Sequence, residues 1–169
     1  MIIVCNIINT WYIAFMITDY YKIPFGGQLL IWSSRVALYW SCSATPNKYD
    51  IINTAYSKVG IKNGSLLLKP FIGILKNKNK FKVQPLCKRY LNETEIKLIN
   101  CIECNKFYSN KNDYFIREWK LDDEKEKFEF YARKIASNFK IANLNTNIQK
   151  SKKHFERIEI KKENIRTLH

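Results

Sequence analysis

Glycine, proline and histidine are scarce in this chain of 169 residues, which has 5 Gly, 4 Pro and 2 His. So little glycine and proline excludes collagen-like and low-complexity chains. The five cysteines show no framework spacing, which excludes a small disulfide scaffold and favours a reducing compartment. The 46% hydrophobic and 26% charged residues are ordinary for a globular protein of this length. The sequence therefore predicts one folded domain in the cytoplasm.

Acidic residues are missing from the long interval between Asp50 and Glu93, in a chain of net charge +14. If a polyanion binds this protein, we expect it to bind in that interval. Phe81 and Tyr90 stand among the cations there, and aromatic side chains between cations are typical of single-strand binding. The candidate nucleic-acid-binding residues are Lys76, Lys78, Lys80, Lys82, Lys88 and Arg89.

The composition of the positive charge weakens that hypothesis. The chain has 23 lysines and six arginines, whereas proteins selected for phosphate contacts usually carry more arginine. The reason is that the planar guanidinium binds a phosphate in two places. Isoleucine and asparagine are abundant as well, and A/T-rich codons encode all three residue types. Genome composition is therefore a second explanation for the lysines.

Apolar residues recur at helical spacing in six segments of the chain. The predicted helices cover about residues 26–41, 49–59, 66–75, 92–102, 111–119 and 123–139. Short connections between them predict an all-α fold, a compact bundle of about five to six short helices. The connection over 77–90 is predicted to be extended, with a short strand at 81–83. The predicted core aromatics are Trp32, Trp40, Phe71, Trp119, Phe128 and Tyr131.

Several residues mark where these helices begin and end. Gly60 is the expected C′ residue of the second helix, because glycine suits a left-handed conformation. Pro70 predicts a kink in the third helix or marks its first turn. Asn92 followed by Glu95 is close to a capping box, and Asp123 with Glu126 repeats that spacing.

Residues 1–18 contain no charged side chain. They lack the basic region and cleavage site of a secretory signal, and the apolar run is shorter than the roughly 20 residues that span a bilayer. Three interpretations are open: a buried element, a weak membrane anchor, or sequence upstream of the true start at Met16. We expect an apolar segment over 1–25, a helical domain over 26–140 and a basic, weakly structured C-terminal tail over 141–169.

Several short pieces occur in a fixed order, and most of their positions are of the apolar core type. They are Leu29–Trp32 with Arg35, Ala55–Gly60, Pro70–Phe71, Leu91 with Glu95 ahead of Leu98–Ile99, and Ala132–Ile135. In this order, over about residues 26–140, the chain resembles small all-helical bacterial proteins of unknown function. The resemblance implies an all-helical fold and gives no residue a role.

Cys101 and Cys104 form the one pattern that resembles a metal site. A structural zinc ion needs four ligands, and neither a second cysteine pair nor a histidine pair accompanies these two. Residues three apart on a helix share a face, and free cysteine is among the most buried residue types. We therefore assign both thiols to the core and predict no metal and no cofactor.

No catalytic pattern stands out in the sequence. Both histidines, His154 and His169, lie near the C-terminus, and neither a nucleophile elbow nor a phosphate-binding glycine loop is present. We therefore predict a non-enzymatic helical binding or interaction protein with a protein partner. Nucleic-acid binding through residues 76–89 and membrane association through residues 1–18 are the alternatives, and no small-molecule substrate is evident.

Overall fold

The computed structural model describes residues 18–40, 47–107 and 112–148. Within those ranges it contains six α-helices and no strand, which confirms the predicted all-α bundle. The helices are α1 (Phe25–Tyr39), α2 (Lys48–Lys58), α3 (Gly64–Lys76), α4 (Glu93–Phe107), α5 (Asp113–Trp119) and α6 (Lys125–Ile141). Single 3-10 turns precede α1 and α6, at Tyr20–Lys22 and Asp122–Glu124.

The core lies between α3, α4 and α6, with α2 packed on α3 and α1 touching α2, α3 and α4. Phe71 of α3 stacks on Phe128 of α6 with ring centres 5.5 Å apart, and Trp119 meets the same ring edge-on at 5.9 Å. These three predicted core aromatics are fully buried, which contributes about 1.5–3 kcal/mol for each phenylalanine. Trp32 and Tyr131 are only partly buried, as is Trp40 at the end of α1.

Two of the predicted helix ends are confirmed. Gly60 follows α2 with φ +83°, and the Ile61 N–H closes the turn by donating to the Tyr56 carbonyl at 2.9 Å. At the start of α4 the Glu95 N–H donates to Asn92 Oδ1 at 2.9 Å, while the Asn92 N–H donates to Glu95 Oε2 at 3.0 Å. These reciprocal bonds are those of a capping box.

The predicted cap at Asp123 is wrong. The residues Asp122–Glu124 form their own 3-10 turn, α6 begins only at Lys125, and no side chain caps it. Pro70 is the seventh residue of α3, so it lies inside the helix and not in its first turn. Because proline has no backbone N–H, one backbone hydrogen bond of the helix is missing at this position, yet α3 continues to Lys76.

The predicted strand at 81–83 is also wrong. These residues belong to neither a helix nor a strand, and within the described ranges the one β-type pairing is an isolated antiparallel bridge between Asp19 and Tyr90. Phe81 and Val83 alternate with exposed neighbours because both side chains are buried in the helical core. The Phe81 ring meets Trp119 edge-on at 5.7 Å. Here the alternation of buried and exposed side chains with a period of two therefore marks a connection that packs against helices, and not a strand.

The packed region begins before residue 26 and ends after residue 140. Ile23 is a core residue. At the other end Lys106 Nζ donates to the Leu144 carbonyl and to Thr146 Oγ1, both at 2.7 Å, and the Thr146 hydroxyl donates to the carboxylate of Glu103. Residues 1–17 and 149–169 lie outside the described residues, so most of the predicted apolar segment and tail stays a prediction. No helix in the described part of the chain is long and apolar enough to span a membrane.

Candidate binding surface

A buried ion pair holds the loop that follows Val83. Arg35 of α1 donates through Nε to Glu95 Oε1 at 2.7 Å and through Nη2 to Oε2 at 3.0 Å. Glu95 also accepts the backbone N–H groups of Gln84 and Asn92, each at 3.0 Å. Arg35 Nη1 donates to the Lys88 carbonyl at 2.6 Å. The buried ion pair therefore anchors the backbone of the loop over 84–92, and the side chains of Lys88 and Arg89 in this loop are exposed.

A second ion pair joins this loop to the chain that enters α1. Arg89 Nη2 lies 2.7 Å from Asp19 Oδ2, and the Asp19 side chain also accepts the Tyr21 N–H at 2.9 Å. The hydrogen bond from Arg89 holds the pKa of the Asp19 carboxyl below its usual value. The Tyr20 N–H donates to the Arg89 carbonyl at 2.8 Å. The turn Tyr20–Lys22 is thereby anchored beside the loop.

Two adjoining clefts open where this turn, the loop and the helices α1 and α2 meet. One, of about 200 Å³, lies between the turn and the loop, and the other, of about 280 Å³, lies between α1 and the end of α2. Tyr20 and Trp32 line both. We call the surface of the two clefts the Tyr20 face. The side chains that give it its character are Tyr20, Tyr21, Phe25, Trp32, Lys58, Leu86, Lys88 and Arg89.

The Tyr20 face is both apolar and positively charged. Tyr21 is 70% exposed, Phe25 57% and Leu86 37%, and these three apolar side chains lie together around the two adjoining clefts. Lys58 is exposed at its edge. None of the described residues that line either cleft is acidic. The face thus offers apolar contacts beside fixed positive charge.

Tyr20 forms the rigid wall between the two clefts. Its hydroxyl donates to the Gln28 carbonyl at 3.1 Å, and the Arg35 guanidinium lies 5.6 Å from its ring centre. Burial raises the pKa of Tyr20, so the phenol stays neutral. Tyr21 meets the Tyr20 ring edge-on at 5.3 Å, which orients its exposed side chain.

The structure separates the six candidate nucleic-acid-binding residues. Lys88 and Arg89 lie on the Tyr20 face, whereas Lys80 and Lys82 line a third cleft of about 350 Å³. Lys78 forms an ion pair with Glu124 at 2.7 Å. Lys76, at the end of α3, is exposed and lines none of these three clefts. Of the two aromatics predicted beside them, Phe81 is buried and Tyr90 is 51% exposed.

The third cleft carries charges of both signs. Lys97 Nζ lies 2.7 Å from Glu93 Oε1 and 2.8 Å from Glu118 Oε1. Burial lowers the pKa of Lys97, but the hydrogen bonds to Glu118 and Glu93 outweigh it and the pKa is raised overall. Lys97 is therefore charged and neutralised in place, as Arg89 is by Asp19. The third cleft differs from the Tyr20 face in that acidic residues, Glu93 and Glu118, line it.

Sequence reasoning missed the half of the Tyr20 face that precedes and begins α1. Tyr21 lies ahead of the first helical periodicity, and Trp32 fell on an apolar helical face that predicted core. The sequence held one signal for these residues. Tyr20 and Tyr21 lie between the charged residues Asp19 and Lys22, outside any apolar pattern of helical period that would assign them to the core.

The cysteines are placed as core and surface residues. Cys101 is fully buried, Cys104 is partly buried and Cys87 is exposed in the smaller cleft of the Tyr20 face. Burial raises the pKa of the Cys101 thiol, with a further contribution from Cys104. Within the described ranges, no three His, Cys, Asp or Glu side chains come together as metal ligands.

Comparison of the chain with protein-family models, curated proteins and solved structures found no match. Its function is therefore inferred from the chemistry of its own residues.

Proposed function

We propose that this protein is a non-enzymatic helical binding protein and that the Tyr20 face is its binding surface. The observation that carries the proposal is the exposure of Tyr21 beside Lys88 and Arg89 in one cleft and of Phe25 beside Lys58 in the adjoining one. Exposed apolar surface rimmed by polar groups marks interaction sites on soluble proteins. Tyrosine, phenylalanine and arginine are also the residues that interfaces favour.

The rigidity of the base supports binding as the role of this surface. Arg35 and Glu95 bond to each other and to the backbone of the loop, so they support the structure of this surface. A surface that is already ordered loses little conformational freedom when a ligand binds, which favours affinity. We place the protein in the cytoplasm, where a reducing medium suits the exposed free thiol of Cys87.

Single-stranded nucleic acid is a second candidate ligand. The Arg89 guanidinium lies 5.9 Å from the centre of the exposed Tyr90 ring, and such pairs of cation and aromatic support base stacking. This hypothesis predicts that affinity for an oligonucleotide falls steeply as salt concentration rises. If the protein did not bind the oligonucleotide at about 50 mM salt, where the electrostatic contribution is large, the result would contradict this hypothesis.

Photo-crosslinking at one position of the face tests the main proposal. A photoreactive benzophenone amino acid is placed at position 21 of the full-length protein in living cells, and in a matched control at position 130. Phe130 is an aromatic residue of α6 that is 49% exposed and lies outside the Tyr20 face. We expect adducts with protein, lipid or nucleic acid several-fold more often at position 21. Equal yields at the two positions would show that the face is not a binding surface.

A further inference from the structure

The two clefts of the Tyr20 face differ in their chemistry. The larger cleft is lined mainly by apolar side chains, those of Tyr20, Phe25, Leu29, Trp32, Ala55 and Val59. The smaller cleft is lined by three cations, Arg35, Lys88 and Arg89. Because Tyr20 and Trp32 line both clefts, a ligand held along these two rings meets apolar surface at one end and positive charge at the other.

The shape of the face fits a small ligand better than a flat surface. Sites for small molecules are concave and usually measure about 300–1,000 Å³. The clefts measure about 280 and 200 Å³, so a ligand of that class needs both of them. Exposed aromatics elsewhere, such as Phe107 and Phe130, line none of the three clefts described above. Concavity therefore distinguishes the Tyr20 face from the rest of the exposed apolar surface.

The smaller cleft keeps one uncompensated positive charge. Glu95 neutralises Arg35, and Asp19 accepts from Nε and Nη2 of Arg89. Lys88 is exposed, and its side chain pairs with no acidic residue in the described part of the chain. No described residue accepts a hydrogen bond from Arg89 Nη1 either. Lys88 Nζ and Arg89 Nη1 are therefore donors available to an anionic group such as a phosphate.

The larger cleft contains one oriented polar group. Gln28 lines this cleft, and its Nε2 donates to the Ile23 carbonyl at 2.9 Å. That bond fixes the orientation of the amide and leaves Oε1 as an acceptor, to which none of the described residues donates. A planar ring that carries an amino group can therefore pack against Tyr20 and Trp32 and donate to Gln28.

We infer that the Tyr20 face binds a nucleotide whose base carries an amino group, an inference that rests on the proposed function. The base stacks in the larger cleft against Tyr20 and Trp32, since aromatic side chains are good platforms for bases. Its amino group donates to Gln28 Oε1. The phosphate lies in the smaller cleft and accepts from Lys88 and Arg89. A free mononucleotide and one residue of a single strand share this chemistry.

Calorimetric titration of the full-length protein tests the inference. The ligands are adenosine monophosphate, adenosine, inorganic phosphate and a short single-stranded oligoadenylate. We expect adenosine monophosphate to bind at least about tenfold more tightly than adenosine or phosphate, because each of these fills one cleft only. An oligoadenylate that binds more than about tenfold more tightly than the monophosphate would identify a strand as the source. Equal affinities would identify the free nucleotide.

Matched lysine variants locate the phosphate. Lys88→Gln should weaken the binding of adenosine monophosphate about tenfold and leave that of adenosine unchanged, because adenosine has no phosphate. Lys80→Gln removes the same charge from the third cleft and should leave both affinities at their wild-type values. Circular dichroism verifies that both variants keep the helical content of the wild type.

A change of base tests the role of Gln28. Inosine monophosphate has a carbonyl oxygen where adenosine monophosphate has its amino group, so it presents an acceptor to Gln28 Oε1. We expect the wild type to prefer adenosine monophosphate by about tenfold and Gln28→Leu to lose that preference. The ratio of the two affinities is independent of any general weakening that the substitution causes.

The thiol of Cys87 reports occupancy of the smaller cleft. Cys87 is exposed and lines that cleft. Adenosine monophosphate at a saturating concentration should slow the modification of Cys87 by iodoacetamide several-fold. At the same concentration it should protect Lys88→Gln less.

Three outcomes overturn the inference. Binding of adenosine monophosphate that neither depends on Lys88 nor protects Cys87 would place the nucleotide in another part of the chain. No binding of the monophosphate or the oligoadenylate, together with stronger crosslinking at position 21 than at position 130, would exclude a nucleotide and leave the proposed function standing. No binding of either, together with equal crosslinking at the two positions, would remove both the inference and the proposed function.

Discussion

The guanidinium of Arg35 and the carboxylate of Glu95 form a buried, two-bond ion pair between residues sixty positions apart. Their side chains are 2% and 0% exposed. Each oxygen of Glu95 also accepts a backbone N–H, from Gln84 or Asn92, so the groups that replace water come from three parts of the chain. The desolvation cost of a buried pair is offset only when such extra hydrogen bonds are present.

The costs of removing the two partners of this ion pair should not add. We expect Glu95→Leu to lower the free energy of unfolding by about 3–5 kcal/mol, because the Arg35 charge then stays buried without a counter-charge. Arg35→Met combined with Glu95→Leu should cost clearly less than the sum of the two single variants. Urea denaturation of the wild type and the three variants measures this coupling.

An exposed ion pair supplies the control for the variants of Arg35 and Glu95. Arg133 and Glu129, on successive turns of α6, lie 3.6 Å apart with side chains 49% and 21% exposed. Arg133→Met should change the free energy of unfolding by less than about 1 kcal/mol. Strictly additive costs for Arg35→Met and Glu95→Leu would show that the pair is not the unit that stabilises the loop.

Glu95 also shows how far sequence reasoning reaches in this fold. Its spacing from Asn92 predicts the capping box, because a cap involves only neighbours along the chain. The partnership with Arg35 has no local signature, since the two residues meet only when α1 packs on α4. Helix positions and the Gly60 turn were predictable for the same reason that the cap was.

The candidate site was half predictable. The acid-free interval draws attention to Lys88 and Arg89, but it says nothing about Asp19, which lies seventy positions away and pairs with Arg89. The spacing of lysines likewise does not reveal that Lys78 faces Glu124. Tyr21 was missed because a single turn before a helix has no periodicity to recognise.

The glycines of α3 should respond to substitution with opposite sign. A Cβ at Gly64 would overlap the Tyr56 ring, which is buried and whose hydroxyl lies 3.1 Å from Ser33 Oγ. A Cβ at Gly73 would meet nothing within 4 Å. We expect Gly64→Ala to cost about 1–3 kcal/mol and Gly73→Ala to gain about 0.5–1 kcal/mol, because alanine favours helix. Thermal unfolding of both variants checks this, and shifts in the same direction would contradict the packing of α2 on α3.

The ion pair of Asp19 and Arg89 should make stability depend on pH in the acid range. The pKa of Asp19 is lower in the folded protein than its usual value of about 3.9, so the unfolded chain takes up the proton first as pH falls. The stabilisation is complete above about pH 5 and is lost as pH falls through the usual pKa towards the folded one. We expect the wild type to be more stable than Asp19→Asn at neutral pH, with a gap that closes in acid.

Asp113→Asn is the control for that titration. Asp113 lies 3.4 Å from Lys125, and both side chains are at least half exposed. Such pairs contribute little, so this variant should follow the wild type at every pH. Guanidinium or urea midpoints, measured at intervals from neutral pH to about pH 2, give the comparison. A gap for Asp19→Asn that stays constant or widens in acid would show that the charge of Asp19 is not stabilising.

The thiols should differ in reactivity according to their burial. Cys87 is exposed on the Tyr20 face, whereas Cys101 is fully buried in α4 and burial raises the pKa of its thiol. The thiolate is the reactive form, so we expect iodoacetamide to modify Cys87 in the folded protein and to spare Cys101. In denaturant both thiols should react, which serves as the control for intrinsic reactivity. Peptide mass spectrometry assigns the modified positions. Modification of Cys101 under native conditions, at a rate near that of Cys87, would contradict the burial of Cys101 in the core.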